Sequence, residues 1–238
     1  MNCGEVLALV PARGGSKSIP RKNVREIAGK PMVAHSIAHA LSSKHITRTI
    51  LTTDDDEIAE IGERYGAEVP FRRPAEISAD LSTDYEFVRH ALEWLRDHEG
   101  YSPDLVVQLR PTTPMRDQRL IDAAIEALAG APEADSLRAV VKCSFTPYKM
   151  WTLGTDGYLR QLLQLEGYPE PNNQPRQLLP EVVQQDGFID IVRPRTIFEQ
   201  DSITGMRVLP FHLDRWSIDI DDEHELEDAE IEMRAKGK

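Results

Sequence analysis

Cysteine is scarce in this chain: Cys3 and Cys143 are the two it has, far apart and without Cys-x-x-Cys or Cys-x-x-His spacing. Their number and placement argue against a disulfide framework, a structural zinc site and a cysteine nucleophile, and the seven histidines form no metal-ligand cluster beside them. Positive charge is also in deficit. With 28 Lys and Arg against 40 Asp and Glu, the formal charge is −12, which repels polyanions and argues against a nucleic-acid or anionic-membrane partner. Long hydrophobic runs are missing as well. The apolar run near the start, Val6 to Val10, has no basic segment before it and is far too short to be a signal or to span a bilayer, so the expected location is cytoplasmic. No low-complexity tract or internal repeat is present.

What remains is an ordinary globular composition, 40% hydrophobic and 29% charged over 238 residues, enough for one α/β domain with a sizeable core. Glu5 to Pro11 reads as a strand buried on both faces because its apolar residues run consecutively. Met32 to Leu41 has helical periodicity, Thr49 to Thr52 reads as a strand, and Asp54 or Asp55 caps a helix through Tyr65. Thr83 caps a helix to His98. Asp104 to Leu109 and Leu137 to Lys142 are further strands, with a helix over Asp117 to Leu128 between them. Strands alternating with helices predict a mostly parallel sheet covered on both faces. Between Ser144 and Pro194 the alternation breaks in a Pro- and Tyr-rich stretch, read as an inserted arm of extended hairpins that includes Phe188 to Val192. Strands at Met206 to Phe211 and Trp216 to Ile220 and an acidic helix from about Asp222 complete one domain, 1–238.

Two motifs carry chemistry. From Val6 to Arg25 no acidic residue occurs, yet Arg13, Lys17, Arg21, Lys22 and Arg25 do, and Arg13-Gly14-Gly15-Ser16-Lys17 directly follows the first strand. Glycines there let backbone N–H groups approach an anion, and open α/β sheets bind ligands at that end. In Ser217-Ile218-Asp219-Ile220-Asp221, two carboxylates two residues apart on a strand share a face, a pattern suited to Mg²⁺ with substrate phosphates. Arg110-Pro111-Thr112-Thr113-Pro114-Met115-Arg116, after the third strand, should also line the crevice, while Asp54-Asp55-Asp56 reads as a helix cap.

These stretches, with Pro20-Arg21-Lys22-Asn23, Gly29-Lys30-Pro31, Arg73-Pro74-Ala75-Glu76 and Gln174-Pro175-Arg176-Gln177, resemble the acylneuraminate cytidylyltransferase family over nearly the whole chain. The resemblance implies a three-layer, Rossmann-like nucleotidyltransferase fold with an inserted dimerisation arm at about 144–194, and a homodimer. It implies that CMP is transferred from CTP to the anomeric hydroxyl of a nonulosonic acid of the sialic or legionaminic type. Arg13, Gly14, Gly15, Ser16 and Lys17 would hold the triphosphate, Lys22 and Asn23 the nucleotide, and Thr83 would lie near the cytosine. Asp219 and Asp221 would bind Mg²⁺ and, with Arg13 and Lys17, carry the catalysis. Arg176, helped by Lys149, would hold the sugar carboxylate, and Arg110 would line the sugar side. Two departures stand out: Arg110 replaces the Gln of many sialic acid enzymes, and the arm motif Asn-Gly with Tyr three residues later reads Asp186-Gly187 with Asp190. Alternatives are a cytidylyltransferase for an octulosonate and a catalytically silent nucleotide-sugar-binding dimer.

Overall fold

The computed structural model describes residues 2–236. Its central sheet contains β1 (Val6–Pro11), β4 (Arg48–Thr52), β5 (Leu105–Gln108), β6 (Ser136–Lys142), β9 (Val183–Val192) and β10 (Val208–His212), in the order β10-β6-β9-β5-β1-β4. Every pairing is parallel except those of β9, which runs antiparallel to both neighbours. Two short ribbons, β2 (Glu26–Ile27) with β3 (Lys30–Pro31) and β7 (Trp151–Leu153) with β8 (Leu159–Gln161), stand outside this sheet.

Helices cover both faces, and side-chain alternation along the strands assigns them. On β1, Val6 and Ala8 join the cluster of α4 (Gln118–Ala129), whereas Leu7 and Leu9 join that of α3 (Asp84–Glu99) and α5 (Pro194–Gln200). Val10 packs with α1 (Met32–Leu41) and α2 (Asp56–Arg64). The helices start where the sequence supplies caps: the Asp55 side chain accepts from Ile58 N–H, and that of Asp117 from Arg119 N–H. On α3, Phe87, Val88, Ala91, Leu92 and Leu95 form one buried stripe, and Gly100, at φ 65°, ends the helix in the left-handed region. The last helix, α6 (Glu223–Lys236), buries Leu226 and Ala229 against Ile19, Ile27 and Met32. No described helix is long and apolar enough to cross a membrane.

Two expectations are corrected. Phe188 to Val192 is no outlying hairpin but part of β9, inserted between β5 and β6; its consecutive burial is what a strand covered on both faces requires. The projecting segment therefore ends before Val183. Trp216 to Ile220 forms no strand, because its N–H groups find partners outside any ladder: Ser217 donates to Asp186 Oδ2 at 2.8 Å and Ile220 to the Thr112 carbonyl at 2.8 Å.

Candidate active site

The glycine-rich loop leaves the C-terminal end of β1 and is pinned by Ile19, fully buried against α6, and by Asn23, whose Nδ2 donates to the Arg13 carbonyl at 2.9 Å. Gly14 is required for a reason other than a ligand: a Cβ there would lie 2.7 Å from Asp55 Oδ2, and its N–H already donates to Asp54 Oδ1. Gly15 faces open space. Arg21, left-handed at φ 58°, pairs with Asp55 and Glu57 and so belongs to the framework.

Between this loop, the start of α3 and the loop after β5 lies a cleft of about 480 Å³. Arg13, Gly15, Ser16, Lys17, Lys22 and Asn23 line one side, and Thr83, Asp84 and Arg110 line the other. Its cations hold carboxylates of this same chain. Asp80 pairs with Arg13 at 3.1 Å and with Lys17, and these contacts, Lys17 foremost, hold its carboxyl below the usual range. Lys22 reaches across to the Ile220 carbonyl at 2.9 Å and to Asp221 at 3.2 Å. Thr83 caps α3, its N–H donating to Glu86.

Asp219 and Asp221 separate. Asp221 lines the cleft; Asp219 lines a neighbouring recess with Ser217 and Glu225, since no strand aligns the two. Lys149 and Arg176 lie in the arm, where Arg176 donates to the Cys143 carbonyl at 2.9 Å, and neither lines the cleft of its own chain.

Three charged lining residues are not among those expected from the sequence: Arg73, Asp80 and Asp84. Arg73 is buried, donates to the Thr52 carbonyl at 2.6 Å and sits 4.8 Å over the Phe87 ring. Burial lowers its pKa to about 10 against the opposing pull of Asp54 and Asp84, so it stays cationic at neutral pH. The usable signal was Arg73-Pro74, a charged residue placed before a rigid turn that leads into the α3 cap.

Arg116, expected at the crevice, is spent on structure. It is buried and donates to the carbonyls of Phe188 at 2.5 Å and Arg110 at 2.8 Å, which fixes the loop after β5. The two departures from the family pattern meet each other: Arg110 Nη1 is 2.5 Å from Asp190 Oδ2. Asp186 is likewise internal. It lies where β9 bulges between Gln185 and Asp190, opposite Arg138 and Val140 of β6, and accepts from the Phe188 and Ser217 N–H groups.

A group able to bind Mg²⁺ would need hard oxygen donors. Among the described residues no cluster of three or more His, Cys, Asp or Glu forms a cage. Asp221 places one carboxylate in the cleft opposite the basic loop, and its Oδ2 carries no hydrogen bond among the described residues. One or two carboxylates completed by phosphate oxygens and water is the way Mg²⁺ is commonly bound, so the site fits.

Comparison with known proteins gives a consistent picture. The family model described as Cytidylyltransferase matches residues 7–152. A pseudaminic acid cytidylyltransferase of Campylobacter jejuni is 39% identical over 120 residues, 50% of this chain and 51% of that one. A CMP-N,N'-diacetyllegionaminic acid synthase of Legionella pneumophila is 38% identical over 121 residues, 51% of this chain and 52% of that one. The matches thus span about half the length of these curated relatives. A solved CMP:2-keto-3-deoxy-manno-octonic acid synthetase complexed with CTP superimposes with TM-score 0.71 at 17% identity, covering 98% of this chain and 99% of that one, which establishes the nucleotidyltransferase fold.

Proposed function

The chain belongs to the cytidylyltransferase family, and from that premise we propose that it transfers CMP from CTP to the anomeric hydroxyl of a nonulosonic acid, releasing pyrophosphate. The observation that carries this reading is the cleft at the end of β1, whose Arg13 and Lys17 are matched with the solvent-accessible carboxylate of Asp80, which a triphosphate can displace. The names of the relatives, pseudaminic and legionaminic among them, support a nine-carbon acidic sugar as acceptor.

In the reaction the anomeric oxygen attacks the α-phosphorus. A new P–O bond forms, the bond to the β-phosphate breaks, and the hydroxyl proton leaves to solvent or a nearby base. Asp80 gives way and Arg13 and Lys17 take the phosphate oxygens, so that fixed positive charge meets the charge developing on the leaving pyrophosphate. Lys22, held by the Ile220 carbonyl, keeps its ammonium between the loop and Asp221. When bound, Mg²⁺ supplies charge neutralisation at the phosphates, with Asp221 as its ligand from the cleft and Asp219 beyond the buried Ile220 as the second candidate. No covalent enzyme intermediate is needed, because positioning and charge stabilisation suffice.

The reading includes a homodimer working in the cytoplasm, where nucleoside triphosphates are held. Phe145, Leu153, Tyr158 and Leu159 leave the arm with a run of exposed apolar side chains, a surface suited to a second copy. In such a dimer Arg176 and Lys149 would serve the cleft of the partner.

The test is pyrophosphate release from CTP and Mg²⁺ with N-acetylneuraminic, pseudaminic and N,N'-diacetyllegionaminic acids and one octulosonate. Turnover with a nonulosonic acid is expected, with Asp221→Asn reduced by at least about tenfold. Turnover with the octulosonate alone overturns the sugar assignment, and no release with any acid overturns the activity.

A further inference from the structure

Beside the cleft, four charged side chains from four parts of the fold form a continuous ladder. Arg138 of β6 lies 3.4 Å from Asp190 Oδ1 of β9; Asp190 Oδ2 is 2.5 Å from Arg110 Nη1; and Arg110 Nη2 donates at 2.5 Å to Oδ2 of Asp84, the first residue of α3. Side-chain exposure is 8% at Arg138 and 3% at Asp190, then rises to 26% at Arg110 and 39% at Asp84. The deep end is framework, and the upper end opens into the cleft that Arg110 and Asp84 line.

Arg110 is committed at both ends. Burial lowers its pKa, but the Asp190 and Asp84 carboxylates more than offset this and leave it above the usual arginine value. A guanidinium already shared by two carboxylates is poorly placed to hold a third on a substrate. Asp84 is the group with capacity left: Oδ1 carries no hydrogen bond among the described residues. An ionised carboxylate only accepts hydrogen bonds. It repels phosphate and sugar carboxylate alike, so a substrate group in direct contact with it must be an N–H or O–H donor.

We propose that Asp84 is a specificity-determining residue that accepts a hydrogen bond from a substrate donor group, and that Asp190, through Arg110, is the positioning residue that holds the Asp84 carboxylate in the cleft. The proposal rests on the cytidylyltransferase reading. Two sources share the donor chemistry: the nucleotide, through the exocyclic amine of cytosine or the ribose hydroxyls, and the acceptor sugar, through its hydroxyl and amide groups.

The experiment measures Kd for CTP and UTP by calorimetry, and KM for CTP and for the sugar by pyrophosphate release, on the full chain and on Asp84→Ala, Asp84→Asn and Asp190→Asn. Asp84→Ala should raise the constant of one substrate about tenfold or more and leave the other within about twofold, with thermal stability kept. A loss confined to CTP that also narrows its advantage over UTP identifies the base amine. A loss shared by CTP and UTP identifies the ribose, and a loss in sugar KM identifies the sugar. Asp190→Asn should shift the same substrate, by about threefold, and add nothing on top of Asp84→Ala. Unchanged constants in both Asp84 variants, or equal loss for both substrates, overturn the proposal. Should Asp190→Asn fail to fold, the Asp84 variants decide alone. If the unaltered chain neither binds CTP nor releases pyrophosphate, the function itself fails; if it does both and Asp84→Ala matches it, only this inference fails.

Discussion

The glycine-rich loop and the Arg110 ladder present the same kinds of charged group in opposite ways. On the loop, Lys17 is 83% exposed and its partner Asp80 41%. In the ladder, Arg138 and Asp190 are 8% and 3% exposed. Exposed pairs are worth roughly 0–1 kcal/mol, so the loop can exchange that carboxylate for phosphates at small cost. Buried pairs behave otherwise, because removing one partner strands the other charge away from water. One set of ion pairs is thus cheap to break, as the proposed triphosphate site requires, and the other is costly to break.

Breaking the buried set should have the largest effect. Asp190→Ala leaves Arg138 and Arg110 without their shared carboxylate and is expected to cost about 3–5 kcal/mol of stability. For a chain of this size that is a fall in Tm on the order of 10 °C, readable by calorimetry. Next comes the exposed set. Lys17→Ala should weaken CTP binding about tenfold while Tm stays within about 2 °C, as measured by titration calorimetry and thermal unfolding. A large loss of stability there would erase the distinction between the two sets. Asp80→Asn has the smallest expected effect and the opposite sign. Freed of a competing carboxylate, the loop should bind CTP about two- to fourfold more tightly; weaker binding would show that Asp80 assists the nucleotide rather than yields to it.

Local features of the sequence carried much of the fold. The helix over Met32–Leu41 could be placed because Val33, Ile37 and Ala40 recur on one face, and Thr83 and Asp117 marked starts by their capping chemistry. The basic loop could be singled out because cations cluster there without acids, and it does line the cleft after β1. What escaped depends on distant partners. Phe188 to Val192 has the apolar run of a central strand, but its place between β5 and β6 follows from a chain return through the arm. Trp216 to Ile220 has strand-like residues, yet Asp186 and Thr112 take its N–H groups. Arg110 and Asp190 meet across 80 positions, so two departures that read as separate oddities are one ion pair.

The measurement that separates a triphosphate site from a mere basic patch is the Kd of CTP, CDP and CMP, each with Mg²⁺, on the unaltered chain and on Lys17→Ala. If Arg13 and Lys17 trade Asp80 for phosphates, affinity falls stepwise from CTP to CMP by at least about a hundredfold in total, and Lys17→Ala flattens that series while leaving CMP nearly unchanged. Equal affinity for CTP and CMP, or a loss in Lys17→Ala that is the same for all three nucleotides, would contradict it.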